Sequence, residues 1–245
     1  MGDKQLIITG ANSGIGYATA VAAAKRGYNL HLIGRNQQRL DKIQSVTVNY
    51  GVDSTTYQLD LTDQSKVAQT IRLIIDSTTQ INGLINSAGI FSETNVLDYN
   101  DPTWQTIMQT NFYGTLYPTL ALLPQLYRQG FGSIVNITSV DAFDGILNYA
   151  AYSASKGAVT SLTKTLAIEA ATHNVRVNAI VPGVTDTEMT HERIQENITH
   201  YREKVPLQRL ATADEVAEPI LFLISEAATY ITGQNIHVNG GWRLA

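Results

Sequence analysis

Seven short apolar runs, separated by helix-like stretches, constrain this chain more than any other feature. The runs are QLIIT (5–9), NLHLI (29–33), TTYQLD (55–60), GLINS (83–87), SIVNIT (133–138), VRVNAIV (175–181) and NIHVN (235–239). Between them lie helix-like segments at roughly 14–26, 37–49, 63–79, 101–128, 150–173 and 212–225. Continuous Leu/Ile/Val runs alternating with helices call for a mainly parallel sheet covered on both faces, because each crossover lays a helix on the sheet. Junction residues agree. Gly27 follows AAAKR as a helix stop, and NDPTW (100–104) puts Pro102 at a helix start behind a capping Asn100 or Asp101. No linker, charge block or internal repeat divides the 245 residues, so residues 1–245 are expected to form a single α/β domain.

One segment breaks the rhythm. VTDTEMTHERIQENITHYREKVP (184–206) is long and polar and falls between a strand and the last clear helix. An insertion after a strand end is more often a lid over a site than part of the core; a surface excursion is the alternative.

Composition removes several classes of function. A net charge of −4 argues against nucleic acid or an anionic membrane as partner. With no cysteine, disulfides, thiolate metal sites and cysteine nucleophiles are excluded. The five histidines are scattered with no H-E-x-x-H, so no metal centre is expected. The opening MGDKQLIITG lacks the basic-then-apolar pattern of a signal peptide, and no apolar run approaches the roughly 18 residues of a membrane span. A cytoplasmic location is the expectation.

The first strand-to-helix turn, IITGANSGIG (7–16), carries glycines at 10, 14 and 16. This G-x-x-x-G-x-G departs from the strict G-x-G-x-x-G of dinucleotide-binding folds, but the physics carries over. Gly10 can turn tightly off the strand, while Gly14 and Gly16 leave backbone N–H groups open at a helix N-terminus, where a pyrophosphate is stabilised. The second strand ends LIGRN, with Gly34 where an acid would hold an adenosine 2′-hydroxyl, then Arg35, and Arg39 one helical turn on. Arginine suits a 2′-phosphate, so NADP(H) is expected over NAD(H).

YAAYSASKG (149–157) then sets a phenol four residues before an ammonium, and on a helix Tyr152 and Lys156 share a face. A free tyrosine, with a pKa of about 10, exchanges protons poorly near neutrality. An ammonium about 5 Å away, at an effective dielectric of about 20, favours the phenolate by roughly 3 kcal/mol, about two pKa units. Tyr152 is therefore the candidate acid/base and Lys156 its activator. Ala151, Ser153 and Ala154 are small enough to let a cofactor lie against the helix, and Tyr149 is assigned to packing before substrate contact.

TGANSGIG (9–16), DLTD (60–63), NSAG (86–89), Asn111 in QTNFYGT, NITS (136–139), YSASK (152–156), VRVNAIVPG (175–183) and ITGQNIHVNGGW (231–242) follow one another in order. In these motifs the chain resembles the short-chain dehydrogenase/reductases from residue 5 to its end, and the branch that includes 3-oxoacyl-carrier-protein reductases in particular. The resemblance implies a single-domain, Rossmann-type, doubly wound fold with a seven-stranded parallel sheet. It implies catalytic roles for Asn111, Ser139, Tyr152 and Lys156, with Ser139 donating to the substrate oxygen, Lys156 also holding the nicotinamide ribose and Asn111 anchoring a relay water. The cofactor would meet Gly10, Asn12, Ser13, Gly14, Ile15 and Gly16 along the first turn, and Arg35, Asp60 and Leu61 at the adenosine. It would meet Asn86, Ala88 and Gly89 along the ribose, and Pro182, Gly183, Thr185 and Thr187 over the nicotinamide, besides Tyr152 and Lys156. Two positions depart from the family pattern: Ser87 replaces a second Asn, and Ser13 stands where NADP-dependent members often carry Arg or Lys.

The implied reaction interconverts a small carbonyl compound (ketone, aldehyde or 3-oxoacyl group) and its alcohol, and the implied assembly is a homotetramer, with a dimer as the alternative. A catalytically silent dinucleotide sensor is the rival reading. A weaker one is a serine hydrolase using the S-x-x-K of Ser153 and Lys156, which lacks the S-D-N and K-T-G partners. Docking of a carrier protein would want basic side chains at the entrance, for which Arg128, His173, Arg193 and Arg202 are the candidates.

Overall fold

Leu6 and Ile8 point to one face of the first strand and Ile7 to the other, and all three are fully buried. A strand alternates its side chains, so burial on both sides requires helices on both sides. The computed structural model describes residues 4–98 and 102–244, apart from the side chains of Asp98, Arg193 and Asn197. The proposed caps Asn100 and Asp101 lie outside the described residues.

The chain begins β1 (Gln5–Thr9), α1 (Gly14–Lys25), β2 (Asn29–Gly34), α2 (Gln37–Thr47), β3 (Ser54–Gln58), α3 (Gln64–Ser77) and β4 (Gly83–Asn86). It continues through α4 (Pro102–Met108), α5 (Gly114–Gln129), β5 (Gly132–Ile137), α6 (Asp141–Asp144), α7 (Ala150–Ala171) and β6 (Val175–Pro182). It ends with β7 (Thr185–Asp186), α8 (His191–Lys204), β8 (Ala211–Thr212), α9 (Ala213–Ile224) and β9 (Asn235–Val238). Seven strands form one parallel sheet in the order β3-β2-β1-β4-β5-β6-β9. The order reverses between β1 and β4, and in such sheets the crevice beyond the strand ends at that reversal is where ligands bind.

Two cores follow from the alternation. Leu6, Ile8 and Val135 pack with Ala20, Ile220 and Leu223 of α1 and α9. On the other face Ile7, Leu84 and Ile134 pack with Ile71, Leu126 and Leu166 of α3, α5 and α7. Side-chain caps hold helix starts: Asn36 accepts from the Arg39 N–H, Asp63 from the Lys66 N–H, and Thr212 with Glu215 forms a reciprocal capping box.

Two segments differ from the sequence expectation. The helix expected over 101–128 is interrupted at Gln109–Tyr113 by a π-helical turn, where the Gly114 N–H reaches back to the Gln109 carbonyl. Such a turn places one extra residue in the helix and re-aims its side chains. The polar stretch 184–206 is mostly helix: α8 carries fourteen of its residues, with Ile194 and Tyr201 buried beneath it. Its charged outer face hides a sparse apolar stripe, which is why it reads as irregular.

Candidate active site

Backbone contact builds the floor of the crevice. Gly10 turns off β1 with a φ of +66°, and a Cβ there would lie 2.7 Å from the Ala88 backbone. Gly16 supplies closeness as well: a Cβ on it would sit 2.2 Å from the Gly10 carbonyl oxygen, so α1 starts tight against the turn. Thr9 ties the two sides of the topological reversal together by accepting from the N–H groups of Ser87 and Ala88 at 3.2 and 3.4 Å.

The resulting crevice of about 810 Å³ runs from Arg35, Asp60 and Leu61 at one end, past Gly14 and Gly89, to Ser139, Tyr152 and Lys156 at the other. Asn12, Ser13, Ile15, Ala88, Pro182, Gly183, Thr185 and Thr187 also line it. Gly16, Asn86 and Asn111 do not reach its wall. Sequence reasoning passed over Gln58, Thr110 and Glu188, which line it as well. Gln58 has a signal of its own, since its side chain donates to the Arg35 carbonyl across adjacent strands.

Asn86 and Asn111 act from behind that wall. Asn86 is buried and donates to Thr119 Oγ1 and to Asn136 Oδ1, and Asn136 in turn donates to Thr163 Oγ1. This chain joins β4, β5, α5 and α7 inside the core, where each unmade bond would be costly. Asn111, fully buried on the π-helical turn, spends both side-chain donors on the Ile90 carbonyl and Ser155 Oγ. Its side chain thus holds the loop after β4 to helix α7.

Lys156 and Tyr152 project from the first turns of α7. The lysine Nζ lies 5.9 Å from the centre of the Tyr152 ring and donates to the Ile137 carbonyl at 2.8 Å. Burial lowers the Lys156 pKa to about 8, because the surrounding protein solvates an ammonium poorly. A Cβ on Gly89 would stand 3.5 Å from that nitrogen, so the glycine keeps open the space in front of it. Ala151, Ser153 and Ala154 do not make the room expected of them. None lines the crevice; Ala151 packs under the loop that carries Thr94, whose Oγ1 takes its N–H. The Ser153 hydroxyl is buried without a hydrogen-bond partner, so it forms no Ser–Lys pair with Lys156.

Ser139 follows β5 and is held by its neighbour two residues on. Its Oγ donates to Asp141 Oδ2 at 3.2 Å and accepts the Asp141 N–H at 3.1 Å. Phe91 meets the Tyr152 ring edge-on at 4.7 Å and stacks on Tyr149 at 4.2 Å; the Tyr149 hydroxyl donates to Glu93 Oε1. Tyr149 lines neither cavity, in keeping with packing. A second, smaller cavity of about 90 Å³ opens beyond Ser139 and Tyr152, walled by Phe91, Val184, Met189, Tyr201 and Trp242.

The basic side chains considered for a carrier-protein entrance do not gather there. Arg128, in the last turn of α5, and His173, just after α7, stand at the opposite end of the sheet, where His173 stacks on Tyr127 at 3.9 Å. Arg202 is exposed on α8, and the Arg193 side chain lies outside the described residues. Along the crevice Glu188 pairs with Arg39, and nearby in the chain Asp186 pairs with His191. Among the described residues no cluster of three or more metal-type ligands occurs, and no helix is long and apolar enough to cross a membrane.

The crevice has the length, the helix N-terminus and the Cβ-free floor that a dinucleotide needs, so the residues present fit a nicotinamide cofactor. A family model described as Enoyl-(Acyl carrier protein) reductase matches residues 10–243. The 3-oxoacyl-[acyl-carrier-protein] reductase FabG of Aquifex aeolicus is 36% identical over 239 residues, covering 97% of this chain and 96% of that protein. Its namesake from Thermotoga maritima is 33% identical over 238 residues, with 97% of each chain covered. The crystal structure of NAD+-bound xylitol dehydrogenase superimposes with a TM-score of 0.93 at 30% identity, covering 98% of both chains. A silent sensor is not what these relatives favour. The chain is an NAD(P)-dependent oxidoreductase acting on CH–OH groups, and it belongs to the short-chain dehydrogenase/reductase family, on a branch resembling the 3-oxoacyl-carrier-protein reductases.

Proposed function

We propose that this chain interconverts a small carbonyl compound and its alcohol using NADP(H) in preference to NAD(H), with Tyr152 as the acid/base. One observation carries the reading: Ser139 and Tyr152 line both the long crevice and the smaller cavity, so they stand where cofactor and substrate would meet. When bound, the nicotinamide group supplies hydride to the carbonyl carbon or takes it up in the reverse direction. Tyr152 gives its phenolic proton to the carbonyl oxygen, and Ser139 donates a hydrogen bond to that oxygen as its charge grows. Lys156, while protonated, favours the phenolate that Tyr152 leaves behind. Asn111 positions both by fixing the loop at Ile90 to helix α7.

The preference for NADP(H) rests on Arg35 at the adenosine end and on Asn12. The Asn12 Oδ1 stands 2.7 Å from where a Cβ on Gly34 would be, and so occupies the place of an acid that would hold a 2′-hydroxyl. A homotetramer built on the two long helices is part of the same reading; it is supported by Leu120 and Ile168, which α5 and α7 leave 48% and 77% exposed. Segment 184–206 serves as the lid, with Met189 and Thr190 facing both cavities. The test follows NADPH and NADH oxidation by the purified chain across a panel of ketones and aldehydes. Turnover with a higher kcat/KM for NADPH is expected. A chain that binds either nucleotide but reduces no carbonyl would refute the reading.

A further inference from the structure

Helix α6 begins with the residue that touches Ser139, yet little in α6 itself fixes its place. It is one turn of four residues, and none of its side chains is buried. A single turn is not stable alone, because its nucleus costs more than its few hydrogen bonds return. Toward α7 the Ala142 carbonyl faces Gly157, where even a Cβ would stand 3.8 Å away, so the longer helix offers no side chain at that point.

The C-terminal turn grips α6 from outside. The Arg243 guanidinium is ion-paired with Asp144 and lies 5.2 Å from the centre of the Phe143 ring, which also meets the His237 ring at 5.2 Å. That arginine projects from backbone held on two sides. The buried Asn239 accepts the Gly241 N–H at 3.0 Å and donates to the Arg243 carbonyl at 2.9 Å. Beyond α8, the Leu207 N–H donates to the Gly240 carbonyl at 3.1 Å.

The backbone of α6 reaches the chemistry directly. The Asp141 N–H donates to Ser139 Oγ at 3.1 Å, so a shift of α6 moves a donor on that hydroxyl. A hydroxyl that accepts one hydrogen bond is polarised to donate another more strongly. Arg243 itself lines neither cavity, so any influence on turnover passes through what it holds.

We propose that Arg243 is a positioning residue for Ser139: by holding Asp144 and Phe143 it fixes α6, and α6 sets the Ser139 hydroxyl through the Asp141 N–H. The inference rests on the role given to Ser139 in the reading above.

The test is a cycle of the native chain, Arg243→Ala, Ser139→Ala and the double variant. Each reduces a panel of ketones and aldehydes that includes cyclohexanone, benzaldehyde and ethyl acetoacetate, with whichever of NADPH and NADH the native chain uses faster. Single turnovers with enzyme in excess keep a loss of about 10²–10³ from Ser139→Ala measurable. Arg243→Ala should slow the native chain about three- to tenfold, as an exposed ion pair and one cation over a ring are each modest. Nucleotide dissociation constants should not change, and Arg243→Lys should regain most of the rate. In the Ser139→Ala background Arg243→Ala should cost nothing further, because the group it positions is gone. A general loss of fold would instead slow both backgrounds alike. Asp144→Asn, which removes the other charge of the pair, goes through the same cycle in case Arg243→Ala does not fold. Equal losses in both backgrounds, or no loss in the native one, overturn the role of Arg243 and leave Ser139 in place. A Ser139→Ala chain with the native rate overturns the role of Ser139 and this inference with it. Inactivity of the native chain across the whole panel overturns carbonyl reduction as well.

Discussion

Asn111 and Ile90 hold each other twice: Asn111 Oδ1 accepts the Ile90 N–H at 2.8 Å, and Asn111 Nδ2 donates to the Ile90 carbonyl at 3.0 Å. The pairing reproduces a strand-like contact between a side chain and a backbone, and it pins the loop that carries Gly89 in front of Lys156. Asn111→Ala removes both bonds and the one to Ser155. We predict a loss of about 1–3 kcal/mol in urea unfolding, since groups satisfied in the interior lose their partner. Turnover should fall with it as the loop and α7 lose their link. An Ala variant of native stability and native kcat would refute the positioning role.

Tyr152 can be separated from its packing. Phe keeps the ring that meets Phe91 edge-on at 4.7 Å, and it removes only the hydroxyl. Tyr152→Phe is therefore expected to fold and to bind nucleotide as the native chain does, by calorimetric titration. Its kcat should drop by about 10²–10⁴, the usual worth of a positioned acid/base. A Phe variant that retained native turnover would remove Tyr152 from the chemistry.

The strands and most helices were legible because burial on both faces of a parallel sheet writes itself as unbroken Leu/Ile/Val runs. All seven runs became strands, the first with unchanged ends and the others with ends moved by one or two residues. The helix at 191–204 is harder to see, because among its described side chains only Ile194 and Tyr201 are buried and the charged face dominates. Tyr152, Lys156 and the glycine turn stood out through close spacing within a single turn or helix. The π-helical turn, the Asn86–Asn136–Thr163 chain and the Ser139–Asp141 pair depend on atoms that meet only in three dimensions. Gly16 shows the same limit: its motif position was plain, whereas its contact with the Gly10 carbonyl arises from the packing of α1 on the turn.

Arg35 gives the test of cofactor preference. The Asp60 carboxyl beside it is held below the usual range chiefly by the Thr62 N–H, with Arg35 a smaller influence, so removing Arg35 leaves Asp60 ionised. Arg35→Ala is predicted to weaken NADPH binding about tenfold or more and to leave NADH nearly unchanged, because only the 2′-phosphate loses a charged partner. Arg39 pairs with Glu188 across the crevice mouth, and that carboxylate offsets its charge. Glu188→Gln should thus move the preference further toward NADPH. An Arg35→Ala chain with the native ratio of NADPH to NADH dissociation constants would refute the assignment.

Lys156 links the site to the stability of the fold. Burial lowers its pKa from 10.5 to about 8, so between these values the folded lysine is largely neutral while the unfolded one still binds a proton. Stability rises with pH wherever the unfolded chain holds more protons, so this group's contribution is fully present above about 10.5 and is lost as pH falls through about 8. The interval corresponds to about 3 kcal/mol. Lys156→Met cannot titrate, and the difference in unfolding free energy between the native chain and this variant isolates the lysine from every other group. Measured by urea unfolding from pH 7 to 10.5, that difference should move in favour of the native chain as pH rises. Turnover should go the opposite way. Above about pH 8 the neutral amine no longer favours the Tyr152 phenolate, and activity supported by that charge declines just where the fold gains. A native-minus-variant difference that is flat with pH would mean that Lys156 stays charged in the folded chain and that its burial is compensated.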